Sequence, residues 1–260
     1  MIKDYHMHAQ VLTLPDQIHD FVKTALDRGI EEICVTDHMP LSVSSAADRI
    51  PAGRVEEYCM RVRSLAKEYE DRIFIKLGIE IDYHPSIIDE IEAVLKAGDF
   101  DYVIGSSHLQ VIPTDTFDSI HTYTDFAVAM LKNSLLAAQS GYFDTIAHLD
   151  FFKWHFTLPH RFPLSGEEFV FETQRPLVDR ILNTIRDEGL RLEINSHRLA
   201  HTGDLSLVYP ELWVVETALE KGLRFAYGGD AHTADHVGAY LGELRAHPVY
   251  GRAIAQWEQE

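Results

Sequence analysis

The amino-acid sequence predicts one α/β domain, spanning residues 1–260, that folds as a distorted, TIM-like (β/α)7 barrel. Strand and helix patterns alternate along the chain, whose 260 residues are a natural length for one large α/β barrel. The seven strand candidates are short and almost continuously apolar, as parallel strands buried on both faces are. Each strand candidate also ends in a polar or metal-binding group, and this regularity favours a barrel with one functional face.

The strand candidates are apolar runs bounded by polar, glycine or proline positions. In chain order they are Lys3–His8, Glu32–Thr36, Ile73–Ile81, Tyr102–Ser106, Asp144–Ala147, Leu190–Ile194 and Arg224–Tyr227. A doubly wound open sheet is the structural alternative. The sequence lacks the glycine-rich nucleotide fingerprint of that fold, so the barrel is the better prediction.

Helical patterns occupy the segments between the strand candidates. Asp16 follows Pro15 and is a plausible N-cap of the first helix, which ends near Gly29. The second helix has an apolar stripe at helical spacing that includes Val55 and Val62. In chain order the helix candidates are Asp16–Leu26, Arg54–Glu70, Ser86–Lys96, Asp125–Gln139, Glu167–Glu188 and Pro210–Glu220.

The composition excludes several classes of protein. Apolar residues make up 46% of the chain, which is enough for a large core. The formal net charge of −18 argues against a nucleic-acid surface, which needs clustered Lys and Arg. The sequence has no apolar run of about 18 residues, so no membrane span is expected. The N-terminus has no signal-peptide pattern, and a cytoplasmic location is predicted.

The ends of the strand candidates carry the residues that indicate chemistry. In a parallel barrel these ends meet at one face, where the active site lies. In chain order they read His6 and His8, Thr36-Asp37-His38, Gly78-Ile79-Glu80, Ser106-Ser107-His108, Ala147-His148-Leu149-Asp150, Glu193-Ile194-Asn195-Ser196-His197 and Gly228-Gly229-Asp230-Ala231-His232. Imidazole and carboxylate groups brought together in this way indicate a metal centre.

The ordered motifs resemble the polymerase and histidinol phosphatase (PHP) family, and most of all its stand-alone, histidinol-phosphatase-like phosphoesterases. The resemblance extends over nearly the whole chain. It is carried by His6-Met7-His8, Thr36-Asp37-His38, Gly78-Ile79-Glu80, Ser107-His108, His148-Leu149-Asp150 and Asp230-Ala231-His232. The family has a distorted seven-stranded β/α barrel, in agreement with the seven strands counted above.

The resemblance implies a cluster of two or three divalent metal ions. It assigns His6, His8, Glu80 and Asp230 to the first ion, and Glu80 with His108 and His148 to the second. His38 and His232 would hold a third ion. The mixture of imidazole and carboxylate suits Zn, Mn or Fe, and the sequence does not choose among them.

Three aspartates near the strand ends have alternative roles. Related phosphatases often carry a further His or Asp in the loop after the first histidine pair. Here that loop offers Asp16, which is either a ligand or the helix N-cap. Asp37 and Asp150 adjoin candidate ligands and are expected to accept hydrogen bonds from imidazole N–H groups. Asp37 is equally suited to capping the segment that follows it.

The reaction implied by the resemblance is hydrolysis of a small phosphate monoester. A metal-bound hydroxide would attack phosphorus, because metal binding can lower the pKa of water to about 7. Glu80 and Asp230 would carry this chemistry as metal ligands, and their replacement should abolish it. The substrate itself and the oligomeric state cannot be read from the sequence.

Further residues near the strand ends are candidates for substrate binding. A planar guanidinium can contact two phosphate oxygens, so Arg198 is the first candidate for a phosphate clamp. Lys153 and Arg161 are second choices. Asn195 could orient a ligand or the substrate, and His197 is either a proton donor to the leaving group or an ordinary loop histidine.

Two other function classes stay open at this point. A different metallohydrolase in a similar barrel would cleave amide or cyclic-amide bonds. Such enzymes often use a carboxylated lysine, and no strand end here offers an obvious one. The other class is a non-catalytic, metal-binding PHP module. This sequence retains nearly every metal ligand that the resemblance implies, and this argues against a non-catalytic module.

Overall fold

A computed structural model describes residues 1–42, 48–109, 120–156 and 170–260. Within these ranges the chain forms seven parallel strands that pair in sequence order, each with the next. The strands are β1 (Lys3–Asp4), β2 (Glu32–Val35), β3 (Phe74–Asp82), β4 (Tyr102–Ser106), β5 (Thr145–Ile146), β6 (Arg191–Asn195) and β7 (Arg224–Gly228).

The first and last strands meet, which makes the sheet a nearly closed barrel. The backbone N–H of Tyr5 donates to the carbonyl of Tyr227 at 3.1 Å. Just beyond the named strands, the N–H of Asp230 donates to the carbonyl of His6 at 2.7 Å, and that of His8 to the carbonyl of Ala231 at 2.8 Å. The predicted seven-stranded β/α barrel is therefore confirmed.

Helices cover the outside of the barrel. Their bounds are α1 (Gln17–Asp27), α2 (Val55–Glu68), α3 (Ile88–Ala97), α4 (Tyr123–Gln139), α5 (Phe152–Phe156), α6 (Arg175–Asp187), α7 (His197–Thr202), α8 (Leu212–Glu220), α9 (Leu241–Ala246) and α10 (Tyr250–Gln259). The longer helices bury apolar residues at helical spacing against the strands, as Phe21 and Val22 of α1 and Ile181 of α6 do. In the described ranges, no helix combines the length and apolar character that a membrane span needs.

Two predicted elements differ clearly from the structure. The first strand ends at Asp4 rather than His8, and only Met7 continues it, by an isolated bridge to Ala231. Asp230, beside that bridge, has φ of 49°, which interrupts the regular ladder. The helix expected over 167–188 begins as a 3-10 turn at Phe171–Gln174 and continues as α6, while residues 167–169 lie outside the described ranges.

The C-terminal helices α9 and α10 were not predicted. Trp257 of α10 is buried, and its ring lies 4.7 Å from the ring of Tyr5 in an edge-to-face contact. The ammonium group of Lys3 in β1 lies 4.6 Å from the same indole ring. Helix α10 therefore covers the end of the barrel where β1 begins, opposite the carboxyl ends of the strands.

Candidate metal centre

The carboxyl ends of the strands bring together all eight residues that the sequence analysis named as metal ligands. These residues are His6, His8, His38, Glu80, His108, His148, Asp230 and His232. All except His232 are buried, with no more than 8% of each residue exposed. The side chain of His232 is 31% exposed. The centre is thus a buried cluster, and His232 stands at its solvent side.

One oxygen of Glu80 faces three imidazoles. Glu80 Oε2 lies 3.4 Å from His6 Nε2, 3.3 Å from His8 Nε2 and 2.7 Å from His38 Nδ1. Although this oxygen is fully buried, none of these contacts has hydrogen-bond geometry, and no other described residue donates to it. Burying an oxygen without a partner is unfavourable, so the position of Glu80 Oε2 suits a bound cation.

The other oxygen of Glu80 faces a second pair of imidazoles. Glu80 Oε1 lies 3.3 Å from His148 Nε2 and 3.8 Å from His108 Nε2. A single carboxylate therefore stands between two groups of nitrogen ligands. This is the arrangement needed for a carboxylate that bridges two metal ions.

The ligand atoms of the first group have the spacing of a metal site. His6 Nε2 and His8 Nε2 are 3.1 Å apart, and His8 Nε2 is 3.2 Å from Asp230 Oδ1. Asp230 Oδ1 is 3.7 Å from His6 Nε2. Ligands bound tetrahedrally at 2.0–2.1 Å from zinc lie about 3.4 Å from one another. The residues present therefore fit a divalent ion in both donor type and spacing.

A third group lies on the solvent side of the centre. Ligand atoms of His8, His38 and His232 lie within 4.8 Å of one another. The ring of His8 is 4.1 Å from that of His38 and 4.4 Å from that of His232. The structure thus brings His38 and His232 together, as the sequence analysis proposed, and adds His8 to them.

Asp16 is not part of this third group. Its side chain is exposed at the start of α1, outside the groups of potential ligands, and makes no capping hydrogen bond either. The loop after the first histidine pair is held instead by Asp37. This carboxylate accepts hydrogen bonds from the N–H groups of Gln10 at 3.0 Å and Val11 at 2.8 Å.

The expected roles of Asp37 and Asp150 were therefore wrong. Asp37 contacts backbone N–H groups of the preceding loop rather than an imidazole, and burial raises its pKa to about 6. Asp150 accepts from the N–H of Glu211 at 3.0 Å and pairs with Lys153 at 2.6 Å. Both aspartates hold the polypeptide around the centre in place, because buried N–H and ammonium groups need acceptors.

Two other carboxylates orient the imidazoles. Glu193 Oε1 lies 2.6 Å from His6 Nδ1, and Glu193 Oε2 accepts from the N–H of His148 at 2.9 Å. Asp82 Oδ1 lies 2.6 Å from His108 Nδ1. Each carboxylate accepts the Nδ1–H of its histidine, which leaves the Nε2 lone pair directed at Glu80. The sequence analysis assigned no role to either carboxylate, although Asp82 lies two residues after Glu80 on the same face of β3.

The second oxygen of Asp82 contacts a buried arginine. Arg49 Nη1 lies 2.6 Å from Asp82 Oδ2 and 3.1 Å from the carbonyl of Met39. Burial alone would raise the pKa of Asp82, but His108 and Arg49 outweigh it and hold the pKa well below its usual range. Asp82 is therefore ionised and remains a strong acceptor for His108 at any working pH.

The electrostatics of the centre suit a cation. Burial raises the pKa of Glu80, yet the imidazoles of His38, His6 and His108 outweigh burial and hold that pKa well below its usual range. The pKa of Asp230 is lowered in the same way, chiefly by His6 and His197 against burial. Burial and the neighbouring rings of His38 and His232 hold the pKa of His8 well below its usual value. Ionised carboxylates and a neutral His8 are forms that bind metal, whereas Glu193, Asp230 and Glu80 outweigh burial and raise the pKa of His6, which must lose its second proton to bind a cation.

The candidate substrate residues lie around this centre. Arg198 places its guanidinium 4.2 Å from the ring centre of Trp154. Lys153 lies between Asp150 at 2.6 Å and Glu211 at 3.2 Å, so it is already paired with two carboxylates. Arg161 lies outside the described residues. Of the two described cations, Arg198 therefore remains the candidate for a phosphate clamp.

Asn195 and His197 both contact Asp230, a candidate metal ligand. Asn195 Nδ2 donates to Glu193 Oε2 at 3.0 Å and to Asp230 Oδ2 at 3.2 Å. His197 Nδ1 lies 2.9 Å from the carbonyl oxygen of Asp230. Of its two suggested roles, Asn195 therefore has the contacts of a residue that orients a ligand.

Replacing Asp82 by Asn should weaken metal binding without unfolding the protein. The amide keeps the shape of the side chain, but it is a weaker acceptor for His108 Nδ1–H and leaves Arg49 facing a neutral group. Loss of such an orienting contact costs about 10–100-fold in metal affinity. Zinc titration of the metal-free protein measures the change. Asp99→Asn, on the exposed surface, is the matched control; equal affinity in both variants would contradict the role of Asp82.

The barrel and the buried cluster together define a class of protein. A parallel β/α barrel that gathers imidazoles and carboxylates at the carboxyl ends of its strands, without thiolate ligands, is a metal-dependent hydrolase. The sequence matches the PHP domain over residues 4–197, and the chain therefore belongs to the PHP family. This confirms the resemblance carried by the strand-end motifs.

Known relatives cover most of this chain. It is 30% identical over 226 residues to the probable histidinol-phosphatase of Deinococcus radiodurans, covering 84% of this chain and 81% of the relative. It is 30% identical over 264 residues to the histidinol-phosphatase of Bacillus subtilis, covering 91% of this chain and 95% of the relative. The crystal structure of histidinol phosphate phosphatase from Lactococcus lactis, with Zn, L-histidinol and phosphate, is similar with a TM-score of 0.75 and 24% identity, covering 97% of this chain and 93% of that one. That likeness shows the fold.

Proposed function

We propose that this chain is a metal-dependent phosphoesterase that hydrolyses a small phosphate monoester, with histidinol phosphate as the first substrate to test. The observation that carries the proposal is the buried Glu80 carboxylate, whose two oxygens face two separate groups of imidazoles. The names of the relatives support histidinol phosphate as the substrate. The chain acts in the cytoplasm, without nucleic-acid or membrane partners.

The residues of the centre would hold two or three ions of Zn, Mn or Fe. When bound, divalent ions supply an acidified water and a positive field for the phosphoryl oxygens. The sets of ligands are His6, His8, Glu80 and Asp230 for one ion, Glu80, His108 and His148 for a second, and His38 and His232 for a third. The ions would reverse the local sign of a chain with net charge −18, so an anionic substrate is compatible with this acidic protein.

The remaining residues prepare the site for phosphoryl transfer. Glu193 and Asp82 fix the rings of His6 and His108 before substrate arrives, so little reorganisation is needed during the reaction. The guanidinium of Arg198 stacks on Trp154, which fixes its plane and leaves N–H groups at its edge for phosphate oxygens. His197, held by the carbonyl of Asp230, donates a proton to the leaving oxygen.

A substrate screen tests this function. The protein is loaded with Zn, Mn or Fe, and phosphate release is measured with histidinol phosphate and a panel of other monoesters, beside cyclic amides. We expect phosphate release that depends on added metal. Hydrolysis of an amide without phosphate release would instead identify an amide-cleaving enzyme. Stoichiometric metal without hydrolysis of any ester would identify a non-catalytic metal-binding module.

A further inference from the structure

A fully buried carboxylate lies at the end of β1, two residues before His6. The oxygens of this residue, Asp4, accept hydrogen bonds from three backbone N–H groups. Oδ1 accepts from Gly229 at 2.8 Å and from His6 at 3.3 Å, and Oδ2 accepts from Gly238 at 3.0 Å. Among the described residues, the groups of potential metal ligands do not include Asp4. Asp4 therefore holds polypeptide rather than a cation.

The two glycines that Asp4 contacts stand at the two ends of one loop. Loop 229–238 follows β7 and carries the candidate ligands Asp230 and His232. One oxygen of Asp4 binds the beginning of this loop and the other oxygen binds its end. A carboxylate can accept at both places, whereas an amide has a single oxygen and would turn an NH2 group towards the other N–H.

The beginning of the loop packs directly on two carboxylates. A Cβ on Gly229 would lie 2.6 Å from Asp4 Oδ2, which is too close for any side chain. A Cβ on Gly228 would clash with Oε1 of Glu193, the oxygen that contacts His6. Glycine at both positions lets the backbone approach this closely. The loop is thus fitted to the same buried carboxylates that flank the first group of ligands.

Asp230 has a backbone conformation that needs support from its surroundings. Its φ of 49° lies in the left-handed region, which few residues other than glycine adopt. Such a conformation persists only where neighbouring contacts fix it. The N–H of Gly229, just before it, donates to Asp4, and its own N–H donates to the carbonyl of His6 at 2.7 Å. Held in this way, Asp230 Oδ1 lies 3.2 Å from His8 Nε2.

We propose that Asp4 is a positioning residue of the metal centre, which holds loop 229–238 at both ends and so keeps the carboxylate of Asp230 in place for the first ion. Asp4 contacts neither the ion nor the substrate, so its effect on metal binding should depend on Asp230. The proposal rests on the metal-binding part of the proposed function and is independent of the substrate.

Zinc titration of the metal-free, full-length protein tests this proposal. Asp4→Asn keeps the shape of the side chain but releases one end of the loop. We expect its zinc affinity to fall by about 10–100-fold, as when a contact that orients a metal ligand is lost. Asp144→Asn is the matched control, because Asp144 also accepts a backbone N–H, that of Val103 at 2.8 Å, but stands before β5 at the opposite end of the barrel. Its zinc affinity should be unchanged.

A double-mutant cycle separates positioning from a purely structural role. Asp230→Gly removes the ligand, and glycine adopts a φ of 49° without strain. In that background, adding Asp4→Asn should cause no further loss of zinc affinity. Gly229→Ala displaces the Asp4 carboxylate by a second route and should reproduce the loss in the wild-type background.

An equal loss of affinity with and without Asp230 would overturn the proposal, as would wild-type affinity in Asp4→Asn. Loss of the fold in both Asp4→Asn and Gly229→Ala, seen by circular dichroism, would also overturn it, because Asp4 would then be a structural residue of the barrel. Zinc binding is measured without substrate, so these outcomes are distinct from a failure to hydrolyse phosphate monoesters.

Discussion

Replacing Glu80 by Gln is expected to abolish phosphate release and to lower the amount of bound metal. Both oxygens of Glu80 face imidazoles across the gaps that metal ions would fill, at 2.7–3.4 Å for Oε2 and 3.3–3.8 Å for Oε1. Glutamine fills the same space but carries no charge, and one of its two polar atoms is an NH2 group that cannot bind a cation. We expect kcat/KM to fall by about 10³-fold or more, since both ions lose the same ligand.

Phosphate release and elemental analysis of the purified Glu80→Gln variant measure the two effects. Glu188→Gln is the matched control, because Glu188 is exposed at the end of α6, outside the metal-ligand groups, and its replacement should change neither quantity. Circular dichroism establishes that both variants are folded. A Glu80→Gln protein with full activity and full metal content would contradict a bridging role for this carboxylate.

The parts of the centre that sequence could predict are those that follow from strand topology. His6 and His8 lie two residues apart, and extended backbone places such residues on one face. Strands that run parallel all end at the same rim of a barrel, so Glu80 of β3 and Asp230 after β7 had to approach these histidines once seven strands were recognised. The predicted ligands are far apart in sequence, yet the topology alone brings them together.

The contacts that sequence could not predict depend on side chains meeting across separate segments. Arg49 reaches Asp82 from a segment after β2, and no periodicity links the two positions. The same holds for Glu193 on β6 and His6. Asp37 was misassigned for a related reason: its neighbour in sequence is a candidate ligand, but its partners in space are N–H groups of the preceding loop.

Short polar segments also limited the prediction of the fold. Helix α7 spans only six residues, too few for an apolar periodicity to show in the sequence. The first strand was predicted too long because Tyr5 and Met7 continue the apolar alternation after Asp4. Beyond Asp4 only Met7 continues the strand, by an isolated bridge to Ala231, and the alternation does not encode this interruption.

Removal of the metal ions is expected to inactivate the protein and to lower its melting temperature by about 10 °C. A ligand that binds only the folded state at 1,000 times its Kd adds about 4 kcal/mol to the free energy of unfolding. For a chain of this size, 1 kcal/mol corresponds to about 2–4 °C. Even one tightly bound ion is therefore expected to raise the melting temperature by about 10 °C.

The buried carboxylates of the centre explain why the stability of the fold should depend on bound metal. Glu80 and Asp230 are buried, and Glu80 Oε2 has no hydrogen-bond donor among the described residues, so the folded protein without metal keeps a buried carboxylate oxygen that is not satisfied. Calorimetry before and after treatment with a chelator, and again after zinc is restored, measures the change. The same treatment should shift the melting temperature of Glu80→Gln much less, because that variant holds less metal and lacks the buried charge. An unchanged melting temperature in metal-depleted wild-type protein would show that the cluster does not depend on cations for its stability.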